Sequence, residues 1–404
     1  MTAIDPRILP GHAAHRPHQG PQGEAAPSAR SAAPHDARPA DRLPAGEFRT
    51  LSVGPLELEA GGRLPGVELA FETWGTLAED GANAVLVLHA LTGDSHVASH
   101  RRDESAGWWE ELIGPGLAVD TDRWFVVAPN MLGGCDGSTG PSSPAPDGAP
   151  WGGRFPFVTI RDAVAAERRL LDALGVTALQ AVIGGSMGGA RAIEWAVSHP
   201  DLVRGVAVLA STASSSAEQI AWAQAQTHAI RLDPEWRGGD YHPGPGPVTG
   251  LGIARRIAHT TYRSAAELQH RFGREPQGAE DPLGTASGER VGRYQVESYL
   301  DHQASKLVGR FDAGSYVALT EALMSHDVGR GRGGVEAALA SYPGRAFVAA
   351  VDSDRLYFPA ESERLASLLP GEVPVHTIHS PIGHDGFLTE YGQIADELRR
   401  TLEL

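Results

Sequence analysis

A serine set among four glycines, between an apolar run and a helical run, constrains this chain more than any other feature. The segment AVIGGSMGGARAIEW covers residues 181–195, with Ser186 near its centre. The short, β-branched apolar run over 179–183 reads as a strand. After Met187, Ala, Ile, Trp and Val recur at helical spacing until His199 and Pro200 end the pattern. A serine on so sharp a strand-to-helix turn takes a strained backbone conformation. Gly184 and Gly188, two residues to either side, let the chain fold back without clash. The pattern is G-x-S-x-G, that of a nucleophile elbow. An ordinary glycine-rich turn can share these five residues, so the rest of the chain has to decide.

The surrounding pattern supplies a sheet for such an elbow. Residues 46–74 alternate apolar runs with Gly/Pro turns, as in an antiparallel meander. NAVLVLHALTG (83–93) and RWFVVAPN (123–130) are fully apolar strands of the kind buried inside a parallel sheet. TIRDAVAAERRLLDALGV is amphipathic, with Thr159 and Asp162 spaced as a capping box. GVAVLAS (205–211) follows the elbow helix, and then the β/α alternation stops. It returns with RAFVAAVDSD (345–354), a helix to about 369, the strand VPVHTIHS and a terminal helix from about 387. The expected organisation is an α/β core, mostly a parallel sheet with flanking helices, over 46–212 and 331–404. A helical lid is inserted at 213–330. Residues 1–45, rich in Pro, Ala, His, Gly and Arg, bury too little to offset their ordering entropy and read as a disordered tail. The tail histidines His12, His15, His18 and His35 read as solvated rather than as a metal tract.

Composition removes several classes. A net charge of −16 over 404 residues argues against a nucleic-acid surface or an anionic membrane. An anionic small substrate still needs only a local cluster of cations. Cys135 is the single cysteine, which rules out an internal disulfide and a cysteine-based metal site and fits a reducing cytosol. No apolar stretch is long enough to span a bilayer, and the N-terminal residues lack the apolar core of a signal peptide. The expectation is a cytoplasmic protein with no P-loop, no dinucleotide fingerprint and no Cys/His metal spacing, hence no bound cofactor.

A serine hydroxyl needs a base to take its proton and a third group to orient that base. Sheet enzymes with this elbow place them in the order Ser, Asp or Glu, His. Asp354 ends the strand FVAAVDSD, and His384 follows the last strand in SPIGHDGF. Both fall at carboxyl ends of parallel strands, where ligands and catalytic groups collect. Asp352 competes locally for the acidic role. His89, His259 and His326 are other conceivable bases, but none follows the acid in chain order. An oxyanion hole would draw one N–H from Met187, after the nucleophile, and one from the LHALTGD loop, for which Leu91 is the candidate.

These segments, with NMLGGCDGSTGPSS, ARRIAHTTYRS, FDAGSYVALTEALMSHDVGRGRGG and SDRLYFP, resemble the homoserine O-acetyltransferase family of α/β-hydrolase-fold acyltransferases from about residue 46 onward. The resemblance implies an α/β-hydrolase fold and a Ser186/Asp354/His384 triad. It also implies an acyl-enzyme on Ser186, acetyl-CoA as a substrate rather than a bound cofactor, and a lid that forms a homodimer. It places Arg255 and Asp385 at the acceptor. Tyr262, one helical repeat beyond Arg255, would contribute from the same face. An arginine can grip a carboxylate through two parallel N–H bonds, and Asp385 beside His384 can hold an ammonium. The chain departs from the family at Arg256, where relatives carry a large apolar residue, so Arg255 and Arg256 both stand as the substrate-facing arginine. Succinyl-CoA as donor, L-serine as acceptor, water as acceptor in a simple hydrolase, and a non-catalytic binding protein are the rival readings.

Overall fold

The computed structural model describes residues 43–404. The tail expected over residues 1–45, with its four histidines, therefore lies outside the described residues except for its last three. Those three are packed: Leu43 is buried, and Arg101 donates through Nε to the Leu43 carbonyl at 2.9 Å. Gly75 N–H reaches the Ala45 carbonyl at 3.1 Å. The folded part thus already includes Leu43, three residues before the expected start.

Eight strands form the central sheet. They are β1 (Gly46–Glu57), β2 (Arg63–Trp74), β3 (Ala84–Leu88), β4 (Phe125–Pro129), β5 (Leu179–Gly185), β6 (Gly205–Leu209), β7 (Arg345–Val351) and β8 (Val375–Ile378). Their spatial order is β1-β2-β4-β3-β5-β6-β7-β8. The first two pairings, β1 with β2 and β2 with β4, are antiparallel, and every later one is parallel. The meander and the apolar parallel strands therefore lie where the sequence pattern puts them.

Strand β3 shows why these strands are apolar throughout. Ala84, Leu86 and Leu88 join one buried cluster, while Val85 and Val87 join the cluster on the other face. A strand covered on both sides has no wet face to carry polar residues. On the first face lie α1 (Ile160–Leu174), α2 (Met187–Ser198) and α9 (Pro359–Leu368). The other face is covered by α11 (Tyr391–Leu402), with Trp109 and Leu112 from the long connection between β3 and β4. Helix α1 begins with the expected capping box, since Thr159 accepts from Asp162 N–H and the Asp162 carboxylate accepts from Thr159 N–H. Under the elbow, Glu167 of α1 pairs with Arg191 and accepts from Trp195 Nε1 at 2.7 Å, all three fully buried. This network fixes α2 to α1 with its charge compensated.

Between β6 and β7 the chain leaves the core. It forms α3 (Ala217–Leu232), α4 (Val248–Tyr262), α5 (Ala265–Phe272), α6 (Gln295–Val308) and α7 (Ala313–Met324), with a two-residue ladder of Thr285–Ala286 on Glu289–Arg290. Helix α4 packs on α3 and α6, and α7 packs on α3. The short helix α8 (Val335–Ala340) leads back into β7, and α10 (Gly386–Thr389) precedes α11. Among the described residues, no helix is long and apolar enough to cross a membrane.

Candidate active site

Ser186 stands between β5 and α2 at φ 55° and ψ −123°, a conformation that non-glycine residues rarely take. The surroundings leave it little alternative. A Cβ on Gly184 would run into the Gly188 backbone, and one on Gly188 into the Leu88 carbonyl. The other two glycines are equally confined: Gly189 lies against Ser211, and Gly185 against the Phe387 ring. The elbow pattern alone accounts for Gly184 and Gly188. The remaining two are needed by neighbours far away in the chain. The serine N–H donates to the Leu209 carbonyl at 2.9 Å, and its own carbonyl accepts from Ser211 Oγ at 2.8 Å.

The base and its orienting acid arrive from the ends of later strands. His384 Nε2 lies 2.9 Å from Ser186 Oγ, and His384 Nδ1 lies 2.7 Å from Asp354 Oδ2. The Asp354 carboxylate is buried, and its other oxygen accepts from the N–H groups of Leu356 (2.8 Å) and Tyr357 (3.0 Å). Asp352, the competing acid, is turned away to His379 Nδ1 and the Ser380 N–H. The Tyr357 ring stacks on His384 at 5.1 Å, with the rings of Tyr262 and Phe387 also against it. Burial, the largest effect, pulls the His384 pKa down, but the charge and hydrogen bond of Asp354, with Asp385 beyond, lift it above 6.5 overall.

The other histidines named as conceivable bases are engaged elsewhere. His89 accepts from the Met131 N–H at Nε2 and donates from Nδ1 to the Ala90 carbonyl; burial holds its pKa near 3. It ties the loop after β3 to the end of β4. His259 contacts the Tyr299 hydroxyl through Nδ1, and burial pulls its pKa to about 2. His326 lies 3.1 Å from the Thr212 carbonyl.

Met187 opens α2, where the first N–H groups have no intrahelical acceptor. Leu91 lies in the loop after β3, closed by a 2.9 Å bond from Gly93 N–H to the Ala90 carbonyl. The close approach of Gly188 to the Leu88 carbonyl draws the two segments together. Two lid arginines hold the next residue: Arg310 donates to the Thr92 carbonyl at 2.7 Å and Arg255 to Thr92 Oγ1 at 3.3 Å.

Ser186 borders two cavities. One, of about 260 Å³, carries the charged groups Asp94, Arg255, Arg310 and Asp385, together with Tyr262, Trp108 and His384. The second, of about 50 Å³, lies against α3 and α7 and is mainly apolar. In the first, the Arg255 guanidinium lies 5.7 Å from the Tyr262 ring centre, and its buried Nε has no partner among the described residues. Arg256 turns the other way and binds Asp301 on α6 at 2.7 Å. Of the two arginines, α4 thus turns Arg255 to this cavity and Arg256 to α6. Asp385 pairs with Arg263 at 3.3 Å. Arg263, Arg310, Asp94, Trp108 and Tyr357 were not singled out from sequence, because each reaches the site through lid or loop packing.

One other cluster brings together metal-ligand types. Glu72 Oε2 meets His96 Nδ1 at 2.8 Å and His100 Nε2 at 3.2 Å. His100 Nδ1 accepts from the N–H groups of Arg102 and Asp103, so its Nε2 keeps the proton and donates to Glu72. The hydrogen bond to Glu72 is the largest influence on His96 and lifts its pKa to about 9. A protonated His96 beside a carboxylate makes this an ion-pair brace for the segment that carries Trp108, rather than an open set of lone pairs.

A parallel sheet, a strained serine elbow and a buried Ser-His-Asp chain define an α/β hydrolase. The chain accordingly matches the model for the alpha/beta hydrolase fold over residues 83–391. Within that class the chain belongs to the homoserine O-acetyltransferase family. It is 60% identical to the homoserine O-acetyltransferase of Thermobifida fusca (strain YX) over 364 residues, 89% of this chain and 94% of that one. The crystal structure of a homoserine O-acetyltransferase from Bacillus anthracis superposes with a TM-score of 0.82 at 26% identity, over 89% of this chain and 98% of the other. That of esterase E22 superposes at 0.81 and 27% identity, over 88% and 100%.

The geometry predicts a pH profile. Base catalysis requires neutral His384, so kcat/KM should fall as pH drops through a pKa above 6.5. Asp354→Asn removes the charge that lifts this pKa. The acid limb should move to lower pH, while the maximal rate drops by about 10³–10⁴-fold. An acid limb unmoved in Asp354→Asn would show that another group sets it.

Proposed function

We propose that this chain transfers an acetyl group from acetyl-CoA to the hydroxyl of L-homoserine through an acyl-serine intermediate, supplying O-acetyl-L-homoserine for methionine biosynthesis in the cytoplasm. The observation that carries the reading is one hydrogen-bonded Ser186–His384–Asp354 chain opening into a cavity that also holds Arg255 and Asp385. Membership of the homoserine O-acetyltransferase family supports the same acceptor.

In the first half-reaction Ser186 Oγ attacks the thioester carbonyl carbon and gives its proton to His384 Nε2. The carbonyl oxygen takes up negative charge between the N–H groups of Leu91 and Met187. The C–S bond breaks, and His384 returns the proton to the departing thiolate. In the second half-reaction the homoserine hydroxyl gives its proton to His384 and attacks the acyl carbon. The Ser186 ester bond then breaks and Oγ is reprotonated. Arg255 meets the homoserine carboxylate, and Asp385, steadied by Arg263, meets the ammonium. Fixing both charged ends presents the hydroxyl to His384 and lets homoserine outcompete water. No metal or bound cofactor is part of this chemistry.

Arg255→Ala tests the acceptor site. It should lower kcat/KM for homoserine by about 30-fold or more, the usual effect of removing one partner of a buried charge pair. CoA release in a single turnover should change far less, because acetyl-CoA brings no amino acid to that site. Arg255→Lys should recover only part of the loss, since it keeps the charge without the paired geometry. Equal slowing of both half-reactions would instead assign Arg255 to holding the Thr92 loop.

We further infer that the lid mediates a homodimer, because it exposes the large apolar side chains Ile220, Leu232, Val248 and Ile253. Light scattering should give a dimer for the wild type and a monomer for Val248→Glu/Ile253→Glu. A monomeric wild type would contradict this.

A further inference from the structure

The two cavities at Ser186 differ in kind. All four charged side chains described above line the larger one. The smaller is walled by Leu91, Trp222, Ala223, Leu323, Met324 and Leu356, and its polar contributions come from neutral Ser, Thr, Gln and Tyr side chains. No arginine, lysine or histidine borders it among the described residues. Gln219 is held from behind by a carboxylate, donating through Nε2 to Glu361 at 2.9 Å and to the Leu356 carbonyl at 3.1 Å. Gln226 is likewise occupied by the Tyr316 hydroxyl. Gln219 is therefore already bonded at both its acceptor and its donor, and Gln226 at its acceptor.

An acyl group on Ser186 has one end fixed at Oγ and must extend into one of the two spaces. The charged cavity has to remain available for an amino-acid acceptor. We propose that the smaller cavity is the acyl-chain pocket, and that it accepts straight, uncharged acyl groups longer than acetyl, up to butyryl, giving this protein propionyl- and butyryl-transferase activity. The proposal rests on the acyl-serine reading above. Its volume of about 50 Å³ exceeds what a methyl group needs, since a space for a single water-sized group takes only ~10–15 Å³. Room therefore remains beyond the acetyl methyl.

The same walls reject a charged chain. Succinyl matches butyryl in length but ends in a carboxylate. In this pocket that carboxylate would be stripped of water with no cation to receive it and the Glu361 carboxyl nearby. The chemistry otherwise balances as for acetyl. The acyl carbon exchanges its C–S bond for a bond to Ser186 Oγ, the proton passes through His384 to the thiolate sulfur, and homoserine then takes the acyl group.

Steady-state kinetics with acetyl-, propionyl-, butyryl- and succinyl-CoA at saturating homoserine test this. Butyryl-CoA should keep kcat/KM within about tenfold of acetyl-CoA, where a pocket that refuses methylenes loses about 10- to 200-fold for each. Succinyl-CoA should be at least about a hundredfold poorer than butyryl-CoA. Ala223→Leu and Ala223→Phe, which fill the pocket from α3, should lower the butyryl-to-acetyl ratio by about tenfold or more. If either variant does not fold, the wild-type series still decides. Acetyl transfer with butyryl down by more than about a hundredfold would overturn the pocket assignment alone. Equal use of butyryl and succinyl, or an unchanged ratio in folded Ala223 variants, would do the same. No transfer from any thioester would overturn the acyltransferase reading, and this proposal with it.

Discussion

The backbone at Ser186 is the constraint on which the rest of the site depends. Its positive φ survives because the turn is packed on every side: Gly188 against β3, Gly184 against Gly188, Gly189 against Ser211, Gly185 against Phe387. Strain of this kind costs on the order of 1–3 kcal/mol and persists only where the surroundings over-determine it. Here those surroundings are also the functional parts. The contact with β3 brings the Leu91 loop to the start of α2. The Phe387 contact sets the segment that carries His384. The buried Glu167–Arg191–Trp195 network anchors the helix that would otherwise relieve the strain.

The lid contributes more than a cover. Gly383, at φ 102°, passes so close to Ser264 that a side chain there would strike the lid backbone, and Ser264 N–H donates to the Ile382 carbonyl. Arg263, the preceding residue, pairs with Asp385. The lid thus grips the loop of His384 from one side, while Arg255 and Arg310 hold Thr92, next to Leu91, on the other. Charge is sorted by the same arrangement: cations and carboxylates collect where an amino acid would sit, and the space behind the serine stays neutral. A transferase needs this separation, because an acyl-enzyme waiting for its acceptor must not meet a disordered, water-filled site.

What the sequence makes legible follows from the range of the physics involved. Strand β3 and the cap at Thr159 are decided by neighbours a few residues away, and both stand where their patterns place them. The order Ser186, Asp354, His384 is legible because the topology puts the ends of parallel strands on one edge. The choice between Asp354 and Asp352 is not local, since it depends on Ser380 and His379 capturing Asp352. The choice between Arg255 and Arg256 depends on Asp301 of another helix. Arg263 and Arg310 act across the lid–core contact, which no periodicity reports. The packing of Leu43, three residues before the expected start of the fold, escaped for the same reason: what holds it is Arg101, more than fifty residues away in the chain.

The central claim is that Ser186 carries the acyl group between donor and acceptor. Mixing the wild-type protein with acetyl-CoA alone, quenching in acid and mapping the peptides by mass spectrometry tests it most directly. An acyl-serine intermediate gives stoichiometric CoA release, an acetyl adduct confined to Ser186 that disappears when homoserine is added, and neither adduct nor CoA release in Ser186→Ala. Homoserine acetylation that proceeds without any adduct on Ser186, with CoA released only when both substrates are present, would contradict it.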